Sequence, residues 1–544
     1  MLNNFRRFLF WVFLLGFSIG QAQIFQKQKP PKDWFLLDPA ADQFQGLSIE
    51  KAYEALKGQP SKTVIVAVVD TGVDIDHEDL KAAIWVNEDE IANNGIDDDK
   101  NGYVDDVNGW NFIGGKGGSV NDDTYEVTRE YARLSKKFAS ADVTKLTKKD
   151  KQAYQNYEQV KKKWAAKRLE DEQQYKMISR VYANFQFSLD TLKKFLKHEV
   201  TPDALAEVKS NNPNVLFSKS FMASMVANAN GATLDEQLEE LKEAYQAYKS
   251  AYEVSSNPEF DPRSLVGDNY QNPFERNYGN NNVKPLPGPT GDHGTHVAGI
   301  IAADRKNNLG IQGIADNVKI MVLRAVPNGD ERDKDIANSI YYAVDNGALI
   351  INLSCGKTES PQKAAVDKAV QYAESRGVLI IHAAGNESTD NDRVTNYPSA
   401  IYSNGKEAKN WLNVGASSWG DGEDFIGSFT NYGKKSVDVF SPGVAIYSTV
   451  PHNGYKNHDG TSMAAPAVTG VAALLMAYFP ELSALEIKNI ITTSSRKFDG
   501  VMVEQPGSKK VVAFSALSKT GGIVNAYYAV KLAQERSKTA VKTR

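Results

Sequence analysis

Four residues of types suited to cutting an amide bond occur in this chain, each inside a run of small neighbours. Hydrolysis by an alcohol needs a hydroxyl to attack, a base to take its proton, a carboxylate to hold that base in one tautomer, and donors for the oxyanion. Asp70 lies in VVDTGVDIDHEDL, His293 in GDHGTHVAG, Ser462 in GTSMAAP and Asn386 in AAGNE. Each polar residue stands at a strand end or a helix start, where glycine and alanine let backbone and substrate approach. GTSMAAP or AAGNE alone carries little weight, because a buried helix start also selects small residues. All four in one chain point to nucleophilic acyl chemistry.

The elements that must position them alternate. TVIVAVVD, residues 63–70, is a β-branched run ending in a carboxylate, as suits a buried parallel strand. Similar runs are KIMVLRAV from Lys319, ALIINLS from Ala348, GVLIIHAAG from Gly377 and WLNVGA from Trp411. Helical stretches such as Lys334 to Asn346 and Gln362 to Arg376 lie between them, each long enough for a right-handed crossover. The expected architecture is an α/β, doubly wound, mostly parallel sheet with its ligands beyond the carboxyl ends of the strands.

One stretch breaks the pattern. Residues 115–283 are rich in Lys, Glu, Tyr, Ala and Gln without a strand-like run, and read as an all-helical insertion. Thr147 with Asp150 and Thr233 with Glu236 form capping-box patterns, and Thr201-Pro202 is a cap followed by proline. Tyr154, Tyr157, Val160 and Trp164 fall at helical spacing, as do Leu234, Leu238, Leu241, Tyr245 and Tyr248. Basic patches here are balanced by acidic runs, so they read as solvated faces.

Arg6 and Arg7 precede an apolar run from Phe8 to Ile19 and then Gly20-Gln21-Ala22, the layout of a signal peptide over residues 1–22. That run is short for a membrane span, so the expectation is export to the periplasm, the cell surface or the medium, with no span left after processing. Residues 23–45 read as an N-terminal arm and 536–544 as a C-terminal tail. A net charge of -4 argues against a nucleic-acid surface. Cys355 is the only cysteine, which excludes an intrachain disulfide.

A second constellation is DDDKNGYVDD. Asp97, Asp99, Asn101, Tyr103 and Asp105 occupy alternate positions around Gly102, the pattern of a flexible oxygen-ligand loop for calcium, without flanking EF-hand helices. His293 and His296 are three apart around Gly294 and Thr295, whereas a zinc pair on a helix needs four-residue spacing and a glutamate between. His296 therefore reads as a packed residue, and His77, His198, His382, His452 and His458 as structural or surface ones.

With these motifs the chain resembles the subtilisin-like serine peptidase family over residues 46–114 and 284–535, including the final GGIVNAYYAV. The order Asp, His, Ser is that family's known order. The resemblance implies a serine endopeptidase of proteins or peptides with a subtilisin-type fold, structural calcium and no organic cofactor. In it Asp70 orients the imidazole and His293 is general base and then acid. Ser462 attacks the carbonyl, and Asn386 and the Ser462 N–H hold the oxyanion. It also implies that Ser354, Cys355 and Gly356 form the edge strand to which a substrate peptide adds, faced by Leu323 to Glu331. Glu387 falls on the rim of the primary specificity pocket. Asp79 with the loop Asp304 to Leu309 resembles a second calcium site, although the loop differs in length and sequence. The departure from the family is the insertion between Asp70 and His293, expected to restrict substrate entry or to dock a partner.

Overall fold

The computed structural model describes residues 30–196, 199–227, 233–288, 291–420, 422 and 425–542. The expected leader, residues 23–29 of the arm and His198 lie outside the described residues. Two compact units are present, one formed by Val127–Phe260 and the other by the described residues up to Glu126 and from Asp261 onward.

The second unit is built on one sheet. Its strands are β1 (Val64–Asp70), β2 (Gly109–Asn111), β3 (Val318–Arg324), β4 (Ile350–Leu353), β5 (Leu379–Ala383), β6 (Trp411–Ser417), β7 (Val439–Pro442), β8 (Arg496–Lys497) and β9 (Gly522–Ile523). Their order is β8-β9-β7-β6-β5-β4-β1-β3-β2. Every pairing is parallel except β8 with β9.

Successive side chains of a strand point to opposite faces, and here both faces are covered. Val64, Val66 and Val68 pack with Ile320, Val322 and residues of the helices His293–Ala302 and Thr461–Tyr478. Ala67 and Val69 pack on the other side with Met321, Leu323, Ile351 and residues of Asp333–Asp345 and Lys363–Ser375. That two-sided burial is why the strands read as unbroken apolar runs. Among the described residues only the Thr461–Tyr478 helix is long and apolar enough to cross a membrane, and 89% of it is buried inside the protein. Its apolarity belongs to the core.

Residues 261–283, which composition joins to the helices, fold with the sheet instead. The cause is a buried charge network on the helix Asp333–Asp345. Arg263 donates to both oxygens of Asp335 at 2.7 and 2.8 Å and to both of Asp268 at 2.7 and 2.8 Å. Tyr278 donates to Asp335 at 2.6 Å, and Lys334 to Glu275 at 2.6 Å. Removing one partner strands the others in a low dielectric. Arg263→Met is expected to cost about 3–5 kcal/mol, read as a lower midpoint in denaturant unfolding; an unchanged midpoint would contradict this role.

The first unit is helical. Lys148–Leu196 runs for 49 residues and packs against Pro213–Ala227 and Leu234–Ser250 through Ile178, Phe185, Leu192, Met222 and Leu241. Thr233 and Glu236 form a reciprocal capping box at the start of the last helix. Tyr157 and Val160 are buried with Leu134 and Phe138, so that part of the aromatic stripe lines a local core.

Candidate active site

Asp70 ends β1 at the carboxyl edge of the sheet. Its Oδ1 accepts from the Nδ1–H of His293 at 2.7 Å and from the Thr71 N–H at 2.7 Å. The carboxylate is sealed, with 1% of its side chain exposed, whereas the imidazole keeps 26% and stays reachable. Burial alone would lower the His293 pKa, but the Asp70 charge and hydrogen bond outweigh it and raise it above the ordinary value. This close approach depends on Gly294. A Cβ there would lie 2.2 Å from the Gly72 carbonyl oxygen and 3.1 Å from the Asp70 Cβ.

Ser462 sits in the first turn of the Thr461–Tyr478 helix. Proline in a helix removes the N–H that would bond the carbonyl four residues earlier, and Pro466 does this to Ser462. The freed carbonyl accepts from the Ser354 hydroxyl at 2.9 Å. The Ser462 hydroxyl in turn donates to the Ser354 carbonyl at 3.1 Å. Ser354 directly follows β4, and Leu353 is in register with Val69 of the neighbouring β1, so this contact sets Ser462 beside the strand end that carries Asp70. The Asp70–His293 hydrogen bond is formed; the serine hydroxyl is on Ser354 and not on the imidazole. Catalytic hydrogen bonds often tighten only in a substrate complex.

Asn386 follows β5. Its Oδ1 accepts from the Thr461 N–H and the Thr461 hydroxyl, each at 2.9 Å. The Thr461 hydroxyl also accepts from the Gly385 N–H at 3.1 Å, so the chain of donors has one direction and fixes the amide with its oxygen toward Thr461. Gly385 has φ +107°, and a Cβ there would meet Asn431 Nδ2 at 2.3 Å. Asn431 clamps the same turn. Its Oδ1 accepts from the Glu387 and Thr389 N–H groups, and its Nδ2 donates to Ala384 O and Glu387 Oε2, all within 2.8–3.0 Å. Thr461 and Asn431 were not singled out from sequence. Thr461 stands in GTS beside the nucleophile, and Asn431 is a buried amide in FTNYG; neither type announces a positioning role.

The Glu387 carboxylate accepts from the Asn386 N–H at 3.0 Å as well as from Asn431, which ties it to the turn. The Cys355 carbonyl accepts from His382 Nε2 at 2.9 Å, and burial holds His382 down at about 4, so it is neutral. Burial pushes the Cys355 thiol well above its ordinary value. A Cβ on Gly356 would lie 2.6 Å from Asn396 Oδ1.

Of the acidic side chains in and beside this loop, three come together, and of the residues suggested by spacing only Asp99 is among them. Glu90, Asp99 and Asp106 each bring one carboxylate oxygen within 4.8 Å of the others. Asp97 accepts from the Asn101 and Gly102 N–H groups, and Asp105 from those of Asn94 and Gly95. Asn101 Oδ1 accepts from the Tyr103 N–H at 2.8 Å. Glu90, eight residues before Asp98, lies outside the periodic motif and left no signal in it. Asp79 accepts from Asn307 Nδ2 at 2.8 Å, from the Ile311 N–H at 3.3 Å and from the Tyr455 hydroxyl at 3.2 Å.

The profile described as the Subtilase family matches residues 61–511. A thermophilic serine proteinase from Bacillus sp. (strain AK1) is 38% identical over 250 residues, 45% of this chain and 54% of its own length. Thermitase from Thermoactinomyces vulgaris is 40% identical over 209 residues, 38% of this chain and 68% of its own. A solved protease from Pseudoalteromonas arctica PAMC 21717 aligns over 93% of this chain and 98% of its own, at 20% identity and a TM-score of 0.46. The chain belongs to the subtilase family, the subtilisin-like serine peptidases. It spans about half of the Bacillus proteinase that it matches.

Proposed function

We propose that this protein is a serine endopeptidase that hydrolyses peptide bonds in proteins or peptides through Asp70, His293 and Ser462. The observation that carries the reading is the 2.7 Å hydrogen bond from His293 Nδ1 to a sealed Asp70. That bond leaves Nε2 as the free nitrogen of the base. The Ser462 hydroxyl swings from the Ser354 carbonyl to Nε2, gives up its proton there and attacks the scissile carbonyl carbon. The oxyanion is held by Asn386 Nδ2 and the Ser462 N–H. Collapse expels the amine, which takes the proton from Nε2 and leaves an ester on Ser462. Water then loses a proton to His293 and attacks the ester. The acid product leaves and the proton returns to the serine oxygen. Ser354 to Gly356 pair with the substrate backbone, and the Glu387 rim acts on side-chain choice. Cleavage of a mixed peptide library tests the reading. Internal cuts by the wild type that Ser462→Ala does not make are expected; equal cutting by both would overturn it.

Calcium is the proposed structural cofactor of the acidic loop, through Glu90, Asp99 and Asp106. The donors are all oxygen, as a hard cation requires. Calcium at about 100 times its dissociation constant adds roughly 2.7 kcal/mol. Chelation is expected to lower Tm in the wild type and to leave Asp99→Asn unmoved; equal loss in both would refute the site.

The leader places the enzyme outside the cytoplasm. The helical unit screens substrates or docks a partner. Deletion of residues 127–260 tests its role and spares the Arg263 network. Unchanged rates on folded proteins and on peptides alike would dismiss both roles.

A further inference from the structure

The residue before the base is an aspartate that does not behave as a helix cap. Asp292 precedes the helix His293–Ala302, at the position where an aspartate ordinarily accepts from the amides of the first turn. Its side chain makes no such bond. Oδ2 instead meets His458 Nε2 at 3.0 Å, across to the strand Gly454–His458 that leads into the nucleophile turn. Asp292 is thus bonded to a residue only four positions before Ser462, while its backbone joins it directly to His293.

The partner is locked as well. The His458 ring lies 4.3 Å from that of His296, with the planes at 69°. His296 Nε2 is 3.0 Å from both the Ile446 and the Lys456 carbonyls, so it carries its proton there. Burial keeps both rings below the ordinary histidine value. Asp292 accepts from His458 Nε2, and that hydrogen bond together with the nearby positive charge, Lys456 included, holds its carboxyl down at about 2 despite burial.

We propose that Asp292, held by His458, is a positioning residue for the base, placing a second negative charge beside the His293 imidazolium that forms during proton transfer. This rests on the triad reading above. The need for it is local. His293 is the first residue of its helix, where the positive end of the helix dipole disfavours a cation. Asp70 opposes that from Nδ1, and Asp292 opposes it from the adjoining residue. The charged or titratable groups that face this cluster are Asp70 toward His293, Lys456 toward Asp292, and His296 and His293 toward His458.

The test is the pH profile of kcat/KM on a neutral peptide, measured in the full chain at low and high salt. Asp292→Asn removes the charge and keeps the shape. Its acid limb is expected to move to lower pH by roughly half a pH unit at low salt, and by less at high salt, since a partly exposed charge is screened. His458→Gln retains a donor and should track the wild type, while His458→Leu releases the Asp292 carboxylate and should move the limb in the same direction as Asp292→Asn. A purely structural role would lower plateaus without moving the limb. An Asp292→Asn limb that superimposes on the wild type overturns the proposal. Activity surviving in His293→Ala would instead overturn the triad reading on which it rests, so the two failures are distinguishable.

Discussion

Ser462→Ala is expected to lower kcat/KM for peptide hydrolysis by about 10,000-fold or more, and His293→Ala to do the same. The double variant loses little beyond either single one, because triad members act as a unit. The magnitude and the non-additivity are those established for subtilisin, a member of this family, and are carried over here. What this chain adds is a resting partner for the nucleophile. The Ser462 hydroxyl and carbonyl are both bonded to Ser354, so the nucleophile must leave one partner to reach the other. Steady-state rates for the two single variants and the double variant check this. Losses that multiply would mean that the residues do not work together.

Asn386→Ala is the second large effect, a fall of about 100- to 1,000-fold in kcat with KM little changed. That range again comes from the corresponding asparagine of subtilisin. A donor that meets the oxyanion only after attack stabilises the transition state without helping substrate to bind. The directional chain from Gly385 through Thr461 to Asn386 supplies the preorganisation, so Thr461→Val should reproduce part of the kcat loss. If Asn386→Ala raised KM and spared kcat, the amide would be a substrate-binding group and not an oxyanion donor.

Much of this was readable in the sequence because it follows from local rules. The apolar runs of β1, β3, β4, β5 and β6 mark strands covered on both faces, and the carboxylate that ends β1 and the amide that follows β5 stand at the end of the sheet where ligands bind. Other features arise only in three dimensions. Residues 261–283 read as an extension of the helices, since Arg263, Asp268 and Tyr278 look like solvent-facing polar residues until the helix Asp333–Asp345 buries their side chains. His458 and Asp292 are 166 positions apart, and nothing in either motif links them. The acidic loop shows what spacing leaves out: Glu90, outside the alternating motif, accepts from the Asp98, Asp99 and Asp105 N–H groups and so brings its carboxylate beside those of Asp99 and Asp106.

The central claim is that the imidazole held by Asp70 activates the Ser462 hydroxyl. Its most direct test is reaction with a fluorophosphonate, followed by peptide mapping of the adduct and of the labelling rate against pH. A single adduct on Ser462 is predicted, formed at a rate that rises through one ionisation above the ordinary histidine value, and lost in His293→Ala. An adduct on another residue, or labelling of Ser462 that is indifferent to the loss of His293, would contradict it.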